Sequence, residues 1–137
     1  MGSLGDFLNK KQDEKRNAEK AIQEKRDQFN IEFKRLHGLI SEWFRDEITA
    51  AQIEVFEAPA ISANLQPPLI IRSVLGDIEL QSDTTLLQGR LGKVIIRYRH
   101  IEKVIYSRGA RVWEHKGGRE VTQESFTEVI TGLLANR

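Results

Sequence analysis

The stretch IQEKRDQFNIEFKRLHGLISEW, residues 22–43, decides how this chain folds. Ile22, Phe29, Leu36 and Trp43 recur at every seventh position, with Phe33 and Ile40 between them, so a helix here carries one narrow apolar stripe. Leu39 and Phe44 widen it. Such a stripe has to be covered, either by a sheet of the same chain or by a second copy. Gly38 lies inside the stretch, but one glycine costs a helix only about 1 kcal/mol relative to alanine.

Toward the N-terminus the stripe fades into charge. Ser3, with Asp6 three residues on, makes an N-cap pattern in which the hydroxyl accepts from an orphan N–H and the carboxylate sits on the positive helix end. The spacing predicts a helix from Leu4 to about Glu47, about 44 residues and about 66 Å long at 1.5 Å per residue. Between Asn9 and Gln28 its apolar residues are only Ala18, Ala21 and Ile22. Ion pairs such as Asp6 with Lys10, Lys11 with Glu14 and Arg16 with Glu19 are expected there, each worth about 0.2–0.5 kcal/mol. Phe7 and Leu8 then form an isolated apolar pair at the tip. A helix longer than a small domain can cover points to an arm used for self-association or for a protein partner.

Composition changes near residue 49, dividing a long charged amphipathic helix, 1–48, from an antiparallel β-sheet domain with a C-terminal helix, 49–137. Candidate strands are Ile53–Glu57, Leu69–Leu75, Ile78–Gln81, Lys93–Arg99, Glu102–Ser107 and Arg111–Lys116, with Thr85–Gln88 as a seventh. Gly76-Asp77, Gly89 to Gly92, Arg108-Gly109 and Gly117-Gly118 supply turns short enough to force antiparallel neighbours. In Lys93–Arg99, Val94, Ile96 and Tyr98 alternate with Lys93, Ile95, Arg97 and Arg99, and the first set is expected to face the core. Thr122 is an N-cap for a helix whose Phe126, Val129, Ile130, Leu133 and Leu134 fall on one face, and Gly132 is expected to allow a close approach. The fold expected is α+β: a long N-terminal helix, an antiparallel meander of five to seven strands, and a short C-terminal helix packed on the sheet. Seven strands would also allow a closed barrel.

The chain has 137 residues, a net charge of +1 and no cysteine, which excludes disulfides, thiol catalysis and thiolate metal sites. No run approaches the roughly 20 apolar residues of a membrane helix, so a soluble cytoplasmic protein without a membrane role is expected. The near-neutral charge conceals a segregation: residues 89–119 hold nine basic residues against two acidic ones, a local charge of +7. Lys93, Arg97, Arg99, Lys103, Arg111 and His115, with Trp113 among them, are expected to share one sheet face. Cations around an aromatic suit phosphate contacts and base stacking, so anion or nucleic-acid binding is the alternative function.

Motifs for catalysis are lacking. Gly89-Arg90-Leu91-Gly92-Lys93 departs from a phosphate loop at Leu87, where glycine is required, and at Val94, where Ser or Thr is required. His37, His100 and His115 have no metal-ligand spacing, and no serine lies in a nucleophile elbow. Asp6 stands where a myristoylation signal needs Ser or Thr. The expectation is a non-catalytic protein-interaction module without a cofactor, self-associating through the helix that carries Ile22, Phe29, Phe33, Leu36, Ile40 and Trp43.

Overall fold

The computed structural model describes residues 3–59, 66–84 and 90–135. The Ser3 hydroxyl accepts from the Asp6 N–H at 3.3 Å, and from that cap helix α1 runs Leu4–Trp43, 40 residues, straight through Gly38. It stops short of the expected Glu47. Phe44 leaves helical geometry at φ −107° and ψ 23°, and a short helix α2 follows at Arg45–Thr49. The break sits where Trp43 and Phe44 both pack on Phe126, with ring centroids 5.5 and 6.0 Å apart. Gln123 Nε2 donates to the Trp43 carbonyl at 3.0 Å, satisfying one of the acceptors that a helix end leaves open.

Six strands follow, β1 Ile53–Glu57, β2 Leu69–Ser73, β3 Gly76–Asp83, β4 Gly92–Tyr98, β5 Ile101–Gly109 and β6 Val112–His115. They form one antiparallel sheet in chain order, β1-β2-β3-β4-β5-β6. The sheet is open, with β1 and β6 at its edges, so the closed barrel does not form among the described residues. The candidate strand Thr85–Gln88 lies outside them. Strand β2 ends two residues before the expected Leu75, because the Ser73 hydroxyl accepts from the Leu75 N–H and donates to the Gly76 carbonyl, both at 3.1 Å. Gly76 then turns the chain at φ +124°.

Helix α3, Gln123–Ala135, has the cap read from Thr122: Ser125 N–H donates to Thr122 Oγ1 and Thr122 N–H to Ser125 Oγ. Both α1 and α3 cover the same sheet face. Phe29, Phe33, Leu36 and Ile40 from α1, and Phe126, Ile130 and Leu133 from α3, meet Leu69, Ile78, Leu80, Val94 and Ile96 in one core. Gly132 makes no close approach; it is exposed, with nothing within 4 Å of where a Cβ would stand. The close approach is at Gly92 instead, where a Cβ would lie 2.8 Å from the Phe29 ring.

Buried Glu32, 2% exposed, ties α1 to the β5–β6 turn. Its carboxylate accepts from Arg35 Nη1 at 3.0 Å and from the Arg111 backbone N–H at 3.1 Å. Ala110 and Arg111 both adopt positive φ in this turn, a conformation that costs non-glycine residues energy and that the Glu32 bond helps to hold.

Leu36→Ala should lower stability by about 2–5 kcal/mol in a denaturant titration, whereas Leu8→Ala on the exposed part of the same helix should change it by less than about 0.5 kcal/mol. Gly92→Ala, which must displace the Phe29 ring, should cost about 1–3 kcal/mol.

Candidate interaction surfaces

Only the second half of α1 is used for packing. From Leu4 to Ala21 every residue is exposed, Ile22 is half-buried, Gln23 to Gln28 are exposed, and the core begins at Phe29. The stripe expected to serve association therefore docks on the sheet of its own chain: Phe29, Phe33, Leu36 and Ile40 are at most 3% exposed, and Trp43 packs on Phe126. The four buried residues are not available to a second copy of the folded chain, and Trp43 is half-buried; Ile22 marks the place where the covered stripe gives way to a free arm.

The arm has sides of different character. At about 100° per residue, Leu4, Phe7, Leu8, Ala18 and Ile22 fall within about 60° of the line continued from the Phe29–Ile40 stripe. Lys11, Lys15, Lys25 and Arg26 fall within the same sector, and the acidic residues Asp6, Asp13, Glu14, Glu19, Glu24 and Asp27 all fall outside it. Leu4, Phe7 and Leu8 are 72, 56 and 48% exposed. Lys11 pairs with Glu14 at 3.3 Å and lies 5.6 Å from the Phe7 ring centroid. The expected pairs Asp6–Lys10 and Arg16–Glu19 do not form among the described residues. Where the arm leaves the sheet, Gln23, Arg26 and Asn30 line a pocket of about 790 Å³ with Gln66, Gln81, Ser82, Asp83, Thr84, Ile95 and Arg97.

The basic strands do not make the single face expected of them. Lys93 and Arg97 do lie opposite the buried Val94, Ile96 and Tyr98, as the alternation predicts. Lys103, however, is paired with Ile96, and His115 with Ile105, which puts both on the helix-covered side of the sheet. Trp113 is paired with Ser107 on that side too, 2% exposed, with its ring 6.1 Å from Phe29. It is a core residue and offers no stacking platform. Arg99 lies in the β4–β5 turn at φ 57°, its guanidinium 5.2 Å from the Tyr98 ring, and Arg111 lies in the β5–β6 turn.

The two cations left on the outer face are matched by acids. Arg97 bonds Glu102 at 2.8 Å and Gln81 at 3.0 Å and lies 3.9 Å from Glu79, while Lys93 is 3.7 Å from Asp83. Arg90 stacks on Tyr106 at 4.0 Å and bonds buried Glu114, which Arg108 also reaches at 3.3 Å. Arg72 forks onto Asp77 with two bonds of 3.0 Å, holding that exposed carboxyl below its ordinary pKa. Exposed pairs of this kind add little stability, but they leave little uncompensated positive potential on this face.

One further polar cluster joins β6 to α3. His115 Nε2 and Ser125 Oγ are hydrogen-bonded at 2.9 Å, the separation of a base and its nucleophile. Ser125 Oγ is 6% exposed as a residue, however, and is engaged by the Thr122 N–H, so it serves as part of the α3 cap. Among the described residues no three His, Asp or Glu side chains gather as a metal site, and no helix is long and apolar enough to cross a membrane. No family model, no curated protein and no solved structure gives a significant match to the chain.

Burial, with Arg119 nearby, pushes the His115 pKa below the ordinary histidine value, and Glu128 only partly opposes the shift. Above about pH 6.5 the imidazole is neutral in both folded and unfolded chains. Below that the unfolded chain takes up the proton first, so the His115 contribution should reduce stability as pH falls until the folded imidazole is protonated as well. Thermal melts between about pH 7.5 and 5 should show a steeper loss for the natural chain than for His115→Asn.

Proposed function

We propose that this chain is a non-catalytic protein-interaction module that holds out the N-terminal part of α1 to another polypeptide. The observation that carries the proposal is the division within α1. One continuous helix spends Phe29 to Ile40 on its own core and leaves about 25 residues, Leu4 to Gln28, outside it. A helix of that length gains little from tertiary packing, and Lys11 with Glu14, its one ion pair among the described residues, is too weak to account for it. Its tip also exposes Leu4, Phe7 and Leu8 at i, i+3 and i+4, the spacing by which a helix enters a groove or pairs with another helix.

The sheet offers a weaker basis for function. Its cations are divided between two faces and two turns, and those on the outer face have acidic neighbours. A second copy of the chain is one polypeptide the arm is able to meet, and a different protein is another.

A photo-crosslinking side chain placed at Leu8 in the full-length protein should yield polypeptide adducts in cells that naturally contain it, and the same group at Val104 on the outer sheet face should yield few. Adducts from Val104 with none from Leu8 would overturn the proposal.

A further inference from the structure

We infer that the occupant of the arm is an acidic amphipathic helix from a different protein, laid along the face that continues the core stripe. This inference rests on the reading of the arm as an interaction element and adds the chemistry of the partner. Along that face Leu8 and Ile22 supply apolar contact, while Lys11, which also pairs with Glu14 at the margin of the face, and Lys15, Lys25 and Arg26 supply positive charge. All four cations are exposed, and Lys15, Lys25 and Arg26 have no ion pair among the described residues. The face spans about 33 Å from Leu4 to Arg26 at 1.5 Å per residue, room for a partner helix of six turns.

A second copy fits this face poorly. In a parallel pair Lys11 and Lys15 each meet their own counterpart, and in an antiparallel pair centred on the arm Lys15 still meets itself. Like charges at facing positions of paired helices disfavour that pairing, while glutamates there favour it. A lipid surface fits poorly for another reason. A helix lying in a membrane keeps an unbroken apolar face with its lysines at the flanks. Here Lys11 and Lys15 occupy the middle of the face and separate Leu8 from Ala18 and Ile22. A partner that alternates leucine with glutamate satisfies both sets of residues at once.

The probe is a synthetic 25-residue helical peptide with leucine facing Leu8, Ala18 and Ile22 and glutamate facing the four cations, about the length the arm accommodates. Anisotropy with the full-length protein should show saturable binding at about 50 mM salt that weakens at least tenfold by about 500 mM. The variant Lys11→Glu, Lys15→Glu, Lys25→Glu, Arg26→Glu should lose at least tenfold in affinity while keeping its melting temperature, and a control peptide with lysine for glutamate should not bind. Light scattering should give the 15.7 kDa mass of one chain. No binding at low salt, equal binding of the lysine peptide, or stronger binding to phosphatidylserine vesicles than to the acidic peptide would overturn the inference. A dimer that Leu8→Asp dissociates would also overturn it while leaving the arm as an interaction element. Failure of the crosslinking experiment at Leu8, in contrast, removes the arm altogether.

Discussion

Everything about this molecule's shape follows from where the Phe29 ring meets the sheet. The ring lies on Gly92 at the start of β4, close enough that a Cβ there would overlap it, and it packs at a tilt against Trp113 of β6. A glycine at that position lets the Phe29 ring come down onto the sheet. Phe33, Leu36 and Ile40 then follow at helical spacing over the remaining strands, and α3 fills the rest of the same face. Since α1 begins 25 residues before Phe29, this single contact also sets how much helix is left outside the core.

Polar groups fix what the apolar contacts leave free. Glu32 is buried on the helix side and holds the β5–β6 turn through a backbone N–H; Glu114 is buried on the other face of β6 and draws in Arg90 and Arg108. A buried carboxylate that lost its partners would be strongly destabilising, so each is tied to a defined arrangement of its neighbours. The same pairing disperses the charge of residues 89–119. A stretch that carries +7 in the sequence becomes, in three dimensions, a set of separate cation–carboxylate contacts plus a few exposed cations in the turns.

The helix stripe, the antiparallel strands and the C-terminal helix were legible in the residue pattern because each is a periodicity along the chain. The β4–β5 register was legible in principle as well. Arg99-His100 is a two-residue connection that pairs Tyr98 with Ile101, so Lys103 must fall on the Ile96 face rather than beside Arg97. The faces of Trp113 and His115 were not, because a register shift between Ser107 and Gly109 intervenes and a one-residue slip reverses every side chain beyond it. The interruption at Phe44, which packs on Phe126 eighty-two positions away in the chain, has no local signal. Of the candidate interaction residues, the seven-residue spacing located Ile22 to Trp43 but did not reveal which of them the sheet would cover. The exposed tip at Phe7 and Leu8 was visible from its isolation amid charge.

Because α1 crosses from core to arm without a break, it acts as a lever whose fulcrum is Phe29 on Gly92. The lever is about 37 Å long at 1.5 Å per residue, so a tilt of about 10° at the fulcrum sweeps Leu4 through about 6 Å. Small repacking of one aromatic ring is thereby magnified at the tip, and a load applied at the tip returns to the sheet as torque on that same ring.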